Sequence, residues 1–201
     1  VHIQAEKNIN LKGIKTEGKQ GIVLNSDQNI AIGESSIDSK YTDRKLTPQL
    51  YSPEDVIITA KGNIENRSGY IESDQSISLT AQDSQINNEG VIASLGRLDI
   101  TAKAVDNKIN AQMGSIEEIN INVVEDVINS GIVESKLDVV IEAKSFENKT
   151  GGRITSQGTL DVTDIDTVSN EGSIYSKGTS TITSRVFTNT GDFSSDGDIT
   201  V

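Results

Sequence analysis

The chain has 201 residues and a formal net charge of −12, with no cysteine, no tryptophan, two prolines and 3% aromatic residues. These figures exclude disulfide frameworks and cysteine-based zinc sites, and the acidic balance argues against a nucleic-acid or anionic-membrane surface. No run of about 18 apolar residues occurs, so no membrane-spanning helix is predicted. The hydrophobic fraction of 34% consists mainly of 27 Ile and 15 Val against nine Leu. This composition is typical of strands, and it is too rich in Ile and Val for a disordered chain.

The sequence repeats itself at intervals of about twenty residues. In each repeat two residues, almost always apolar, stand two positions apart, which places both side chains on one face of a strand. Only the interval from Leu24 to Ile58 departs clearly from this period, at 34 residues. The pairs are Val1/Ile3, Ile22/Leu24, Val56/Ile58, Ile77/Leu79, Leu98/Ile100, Ile119/Ile121, Val139/Ile141, Leu160/Val162, Ser180/Ile182 and Ile199/Val201.

Two further strand signals complete each repeat. The first is an apolar residue after the pair, at Ile9, Ile30, Ile64, Ile86, Val105, Val127, Phe146, Val168 and either Val186 or Phe187. The second is a Gly-x-Ile-x-Ser-like element that begins at Gly69, Gly90, Gly131, Gly152, Gly172 and Gly191. Asn precedes most of these glycines, at Asn66, Asn87, Asn88, Asn110, Asn129, Asn148, Asn170 and Asn189. Asn followed by Gly indicates a tight turn, and Asn at one position of successive strands stacks into a side-chain ladder.

A single repeat of this length cannot bury enough apolar surface to offset the entropy of ordering its backbone, so the repeats must stack. The sequence therefore predicts an all-β fold, a right-handed parallel β-helix (solenoid) of about ten coils, with three short strands per coil and three sheets around an aliphatic core. Residues 1–201 are expected to form one β-helix segment. Because a strand pair stands at each end of the sequence, we expect a fragment of a longer rod.

The long interval contains the one irregular segment, at about residues 40–55. It holds both prolines, which disfavour sheet pairing, so an extra-helical loop or hairpin is predicted there. Tyr and Arg are enriched in binding hot spots. The candidate partner-binding residues are therefore Tyr41, Arg44, Lys45 and Tyr51, and the alternative is a surface insertion without a partner.

No catalytic, cofactor-binding or metal-binding residue is predicted. His2 is the only histidine, so no histidine triad or multi-histidine metal site can form. Asp164 with Asp166, and Asp196 with Asp198, are carboxylate pairs that could bind a cation or act as acid and base, but such spacings are expected by chance among 30 acidic residues. Two glycosylation sequons, at Asn66 and Asn148, coincide with the predicted turns.

The pattern Asn-x-x-Gly-x-Ile-x-Ser followed by Leu/Ile-Thr-Ala resembles the filamentous haemagglutinin repeats of large exoproteins that Gram-negative bacteria secrete by the two-partner pathway. The stretches starting at Asn8, Gly21 and Asn29 are similar to the haemagglutinin-repeat variant of the same proteins. Together the similar segments cover nearly the whole chain, apart from residues 40–55.

This resemblance implies a β-helical shaft of a secreted or cell-surface adhesin or contact-dependent growth-inhibition exoprotein, which presents a binding or toxin-bearing tip to target cells. It implies an outer-membrane two-partner transporter as the partner during secretion, and a host or neighbouring-cell receptor or glycan as the target. The absence of cysteine agrees with passage through the oxidising periplasm. A monomeric rod is expected, and no catalytic residue carries over.

Two alternatives stay open. A polysaccharide lyase or hydrolase on the same β-helix would need acidic and basic residues converging on one groove. A phage-type fibre would be an obligate trimer.

Overall fold

The repeats form a parallel β-helix, as the twenty-residue period predicts. The computed structural model describes residues 1–12, 15–33 and 49–201, except for the side chain of Asp164. Within these residues the regular structure is twenty-four β-strands and no helix, and every named strand pairs in parallel. No helix of the described residues is long and apolar enough to cross a membrane.

The strands make nine complete turns, and a last strand begins a tenth. In chain order they are β1 (His2–Ala5), β2 (Ile9–Lys12), β3 (Lys15–Glu17), β4 (Ile22–Ser26), β5 (Ile30–Gly33), β6 (Gln49–Ser52), β7 (Val56–Ala60), β8 (Ile64–Arg67), β9 (Tyr70–Ser73), β10 (Ile77–Asn88), β11 (Val91–Ser94), β12 (Leu98–Asn107), β13 (Gln112–Ser115), β14 (Ile119–Val123), β15 (Asp126–Asn129), β16 (Ile132–Ser135), β17 (Val139–Glu142), β18 (Ser145–Asn148), β19 (Arg153–Ser156), β20 (Leu160–Asn170), β21 (Ser173–Ser176), β22 (Ser180–Asn189), β23 (Asp192–Ser195) and β24 (Ile199–Thr200).

Each turn contributes one strand segment to each of three columns, which matches the predicted three strands per coil. The hydrogen bonding differs from the predicted three sheets, because the described strands form a 15-stranded and a nine-stranded sheet. The first two columns join because β10, β12, β20 and β22 run from one into the other without a break. Register shifts between Ala81 and Gln85 and between Val162 and Ile165 mark this corner, where the extra residues let the strand bend.

The core consists of stacked aliphatic side chains. In the first column the register joins Ile22 to Val56, Ile77, Leu98, Ile119, Val139 and Leu160, all of them with 0% exposure. The second column contains Phe146, the largest fully buried side chain. Phe187 continues that column by pairing with Val168 and packing against the core, while Val186 is 43% exposed. The two predicted alternatives are thereby resolved in favour of Phe187.

A ladder of asparagine side chains closes the second column. Each Nδ2 donates to the Oδ1 of the asparagine in the following turn, over 2.7–2.9 Å. Most Nδ2 groups also donate to a backbone carbonyl of that turn, as Asn107 does to Ile132. The members are Asn66, Asn88, Asn107, Asn129, Asn148, Asn170 and Asn189.

The predicted ladder was wrong at two residues. Asn107 takes the place expected for Asn110, and of Asn87 and Asn88 only Asn88 belongs to the ladder. Asn110 instead adopts a left-handed conformation with φ of 66° at the corner between the second and third columns. The two sequons also belong to the ladder, and Asn66 and Asn148 are 1% and 0% exposed.

Serine closes the third column in the same manner. Ser52, Ser73, Ser115 and Ser156 each donate to a carbonyl of the preceding turn over 2.6–2.8 Å. In the described residues no buried side-chain nitrogen or oxygen lacks a hydrogen-bond partner. The polar groups inside the helix are therefore paired, as burial requires.

Replacing Asn129 by Ala should lower the free energy of unfolding by about 1–3 kcal/mol, because it removes an acceptor from Asn107 and a donor from Asn148 in a site that is 1% exposed. Equilibrium urea unfolding followed by circular dichroism measures this loss. The matched control is Asn122→Ala, whose exposed amide donates to Glu142, with an expected change within about 0.5 kcal/mol. Equal losses in the two variants would contradict a structural role for the ladder.

Candidate functional site

The structure describes one of the four candidate partner-binding residues. Tyr41, Arg44 and Lys45 lie outside the described residues. Tyr51 lies in β6, which pairs on one side with β3 and on the other with β9. The predicted loop at 40–55 was therefore wrong for Gln49–Ser52, because the buried Leu50 restores the core column there. Pro53 follows directly after β6 and has no backbone N–H, so it lacks the hydrogen bond that Asp74 and Leu95, at the same place in later turns, donate to the preceding turn.

Tyr51 points outward and is held by the next turn. Its hydroxyl donates to Asp74 Oδ2 over 2.7 Å. Tyr175 repeats the arrangement by donating to Asp196 Oδ2 over 2.9 Å. The hydrogen bond to a carboxylate, followed by partial burial and the negative charge, raises the pKa of both phenols above the ordinary tyrosine value.

The two carboxylate pairs are described in part, because the side chain of Asp164 lies outside the described residues. Asp166 is exposed and faces Arg185 at 3.8 Å. Asp196 accepts the Tyr175 hydroxyl. Among the described residues no group of three or more His, Asp or Glu side chains could hold a metal ion.

The outer face of the nine-stranded sheet carries a depression that combines an apolar lining with charged ends. Three outward rows run along this sheet, and the middle row contains Tyr51, Glu72, Ala93, Gly114 and Glu134 in successive turns. The rows beside it hold Val91, Gln112 and Ile132 on one side and Leu95 and Ile116 on the other.

We call this depression the groove. Ala93 and Gly114 form its floor, and its volume is about 410 Å³. Leu95 and Ile116 are 54% and 48% exposed along one wall. One end holds Tyr51, Glu72 and Asp74, and the other holds Glu134 and Lys136.

The groove ends differ in their electrostatics. Lys136 Nζ lies 2.6 Å from Glu134 Oε1, and this hydrogen bond lowers the pKa of Glu134. At the opposite end Glu72 accepts from Gln49 Nε2 over 2.7 Å, and Asp74 accepts from Tyr51. Both donors at that end are neutral groups, so neither one neutralises the negative charge of the carboxylate that it contacts.

Sequence reasoning found Tyr51 but not the groove. The third element of the fifth turn is Ala111-Gln-Met-Gly-Ser115, in which Ala replaces the usual glycine and Met113 replaces the usual Ile. Aligning that element with its neighbours places Gly114 at an outward strand position. That alignment is the signal that could have found the floor of the groove.

In a chain whose only tyrosine is Tyr51, made by Tyr41→Phe, Tyr70→Phe and Tyr175→Phe, the phenol should titrate above about pH 10. Asp74→Asn should move the midpoint down towards that value, because the carboxylate charge that disfavours phenolate is gone. A raised folded-state pKa stabilises the fold below pH 10, and this contribution is lost as the pH rises through the folded-state value. Tyrosinate absorbance measures the midpoint. Asp196→Asn is the matched control, and an equal shift in both variants would refute the pairing.

The model of the haemagglutinin repeat family matches residues 1–68, 65–115 and 118–201. No curated protein and no solved structure matches the chain significantly. The family match covers nearly every residue of the nine turns described above, and its repeat is the structural repeat of filamentous adhesins and not of an enzyme family. The chain belongs to the haemagglutinin repeat family.

Proposed function

We propose that this chain is a section of the shaft of a secreted bacterial adhesin or contact-dependent growth-inhibition exoprotein, displayed at the cell surface. The shaft holds a binding or toxin-bearing tip away from the cell. The membership of the haemagglutinin repeat family supports an adhesin-type shaft, and the finer assignment is our proposal.

The observation that carries this proposal is the unbroken stacking of nine turns. A single cluster of buried hydrophobic residues extends from Ile9 to Ile182, and the asparagine ladder runs beside it through seven turns. Each turn adds about 4.8 Å along the axis, so nine turns span about 43 Å. A continuous core with paired polar ladders resists bending, which is the mechanical property that a shaft needs.

Secretion through an outer-membrane two-partner transporter is consistent with this design. The chain has no cysteine, so it forms no disulfide while it crosses the oxidising periplasm unfolded. Each turn pairs only with its neighbours, so folding can proceed turn by turn as the chain emerges.

We expect surface display to depend on the transporter. Deleting the transporter gene in the source bacterium should abolish antibody labelling of this chain on intact cells, while the chain is still detected in lysates. An unrelated surface protein of the same strain is the control. Unchanged labelling in the deletion strain would overturn the proposed route.

The candidate receptor contact is the segment around Tyr41, Arg44 and Lys45, which precedes the half-buried Tyr51 in the sequence. Its residues lie in the chain between β5 and β6, and the Tyr51 side chain faces outward. Arg and Tyr supply planar hydrogen-bonding and stacking groups that suit a cell-surface glycan or receptor.

Changing Arg44 and Lys45 together to Ala should weaken binding of the fluorescent chain to target cells or arrayed glycans by about tenfold or more, as expected for hot-spot residues. Flow cytometry measures the loss. The control is the double change Lys177→Ala and Arg185→Ala, which removes the same charge from exposed positions elsewhere. Binding that survives the first change, or falls equally with the second, would show that the contact lies elsewhere.

A further inference from the structure

The outer surface of β6, β9, β11, β13, β16 and β19 carries a band of large apolar side chains, and we call this surface the groove face. Leu95 and Ile116 are 54% and 48% exposed, and each directly follows the last serine of its strand. Tyr70, which is 41% exposed, shares the row on the other side with Val91 and Ile132. The band extends over four successive turns, and a contiguous exposed apolar band of this kind marks an interaction surface.

Charged residues lie at both ends of this band, and the two ends differ in sign. At one end Glu72 and Asp74 accept hydrogen bonds from neutral donors, so two carboxylates give this end a charge of −2. At the other end two cations, Lys136 and Arg153, stand against one carboxylate, Glu134, and give a charge of +1. The groove face is therefore acidic at one end and basic at the other, although the whole chain is acidic.

A face with this pattern complements a second copy of itself turned end for end. A two-fold axis that lies between the two copies and runs along the strands, midway between β11 and β13, exchanges the fourth turn with the fifth and the third with the sixth. Asp74 and Lys136 occupy equivalent positions in the third and sixth turns, because each donates its backbone N–H to a serine carbonyl of the preceding turn. The axis therefore sets Asp74 opposite Lys136 of the second copy, and Leu95 opposite Ile116 of the second copy.

The other two rows follow the same symmetry. Tyr70 and Ile132 share one row and lie in the third and sixth turns, so the axis sets these two apolar side chains opposite each other. Ala93 and Gly114 lie beside the axis in the middle row, where their small size allows the two sheets to approach to about 10 Å. Apolar contacts thus occupy the centre of the interface, and charged contacts occupy both ends.

The contacts within one chain are compatible with this pairing. The Lys136 ammonium has three donor hydrogens, so its contact with Glu134 leaves it able to donate to a second carboxylate. Asp74 accepts the Tyr51 hydroxyl through Oδ2, and its other oxygen can accept from the second copy. A two-fold axis along the rod would instead set Asp74 opposite Asp74 and Lys136 opposite Lys136, so that like charges meet. The charges therefore favour the antiparallel arrangement.

We propose that the groove face binds a second copy of this chain, side by side and antiparallel. Its six turns make a surface about 29 Å long and about 17 Å wide. The two copies together bury about 1,000 Å², which is the size of a weak and transient interface. The net charge of −12 on each chain also opposes association, so we expect a dissociation constant of about 0.1 mM. Such a dimer differs from the monomeric rod expected from the sequence, and it does not rest on the proposed function.

Sedimentation velocity of the 201-residue chain tests the apolar centre. Between about 0.01 mM and about 1 mM the chain should show a monomer–dimer equilibrium. The double change Leu95→Gln and Ile116→Gln should raise the dissociation constant at least tenfold, because it places amide groups at the centre of the interface. The matched control is Ile109→Gln with Val124→Gln, which alters side chains that are 71% and 73% exposed outside the nine-stranded sheet. The control should dimerise within twofold of the unchanged chain.

Exchanging the charges tests the antiparallel arrangement. Asp74→Lys and Lys136→Asp should each raise the dissociation constant at least tenfold, because like charges then face each other. A one-to-one mixture of these two chains should recover the affinity of the unchanged chain, because each altered residue then faces an opposite charge. The controls Glu147→Lys and Lys103→Asp make the same changes in net charge at exposed positions outside the groove face, and each should dimerise like the unchanged chain. None of the altered side chains is buried, so circular dichroism should show the same β-sheet spectrum for all of them.

Three results would overturn the proposal. The first is an unchanged chain that remains monomeric at about 1 mM, which would leave the groove face to a partner of different chemistry. The second is a chain with Leu95→Gln and Ile116→Gln that dimerises as well as its control. The third is a mixture of the two charge-exchanged chains that associates no more tightly than either chain alone, which would exclude the antiparallel pairing of Asp74 with Lys136.

Discussion

In-register parallel stacking is the constraint on which the rest of the molecule depends. Every strand residue lies beside its equivalent about twenty positions later, so a residue type that suits one turn is repeated above and below it. The asparagine ladder shows how strict this is, because each amide satisfies both its neighbours only at one strand spacing. At 0–1% exposure for Asn66 to Asn170, water cannot replace a missing partner. The ladder and the aliphatic columns therefore fix which outer residues stand together.

The corner between the second and third columns absorbs the irregularities of the repeat. The connections after Asn66, Asn107 and Asn148 are each longer than the two-residue connection after Asn129, and they contain Ser68, Asn110 and Gly151 with φ of 60°, 66° and 85°. The register is the same before and after each of them. In the second turn, β5 of the second column ends at Gly33 and β6 of the third column begins at Gln49. Insertions are tolerated there because the asparagine ends one column and the Ile-x-Ser element begins the next.

The positions of most inward-facing residues could be predicted from the sequence, whereas the arrangement of many outward-facing residues could not. The pairs such as Ile77/Leu79 and the single residues such as Phe146 obey the period because burial allows few alternatives. Asn107 was missed because counting back from a glycine fails where Ala111 replaces that glycine and the connection is two residues longer. Leu50 was missed because the prolines on either side suggested a loop. The joining of two columns into one sheet depends on bulges, which leave no composition signal.

The groove could not be predicted from any single repeat, because it exists only where several turns stack. Its floor needs Ala93 and Gly114 in adjacent turns, and its ends need residues from the turns beyond them. Outward positions carry no packing constraint, so their side chains can differ from turn to turn without disturbing the core.

The charged residues also combine a repeated arrangement with local exceptions. Many cations of this acidic rod lie two positions from a carboxylate, as Lys108 does from Asp106 and Lys149 from Glu147. Such exposed pairs contribute little to stability, but they neutralise the surface locally. At Glu72 and Asp74 the described partners are Gln49 and Tyr51 instead of cations. The structure thus holds both carboxylates in fixed positions beside an apolar floor through neutral donors, unlike the carboxylates that are paired with cations elsewhere on the rod.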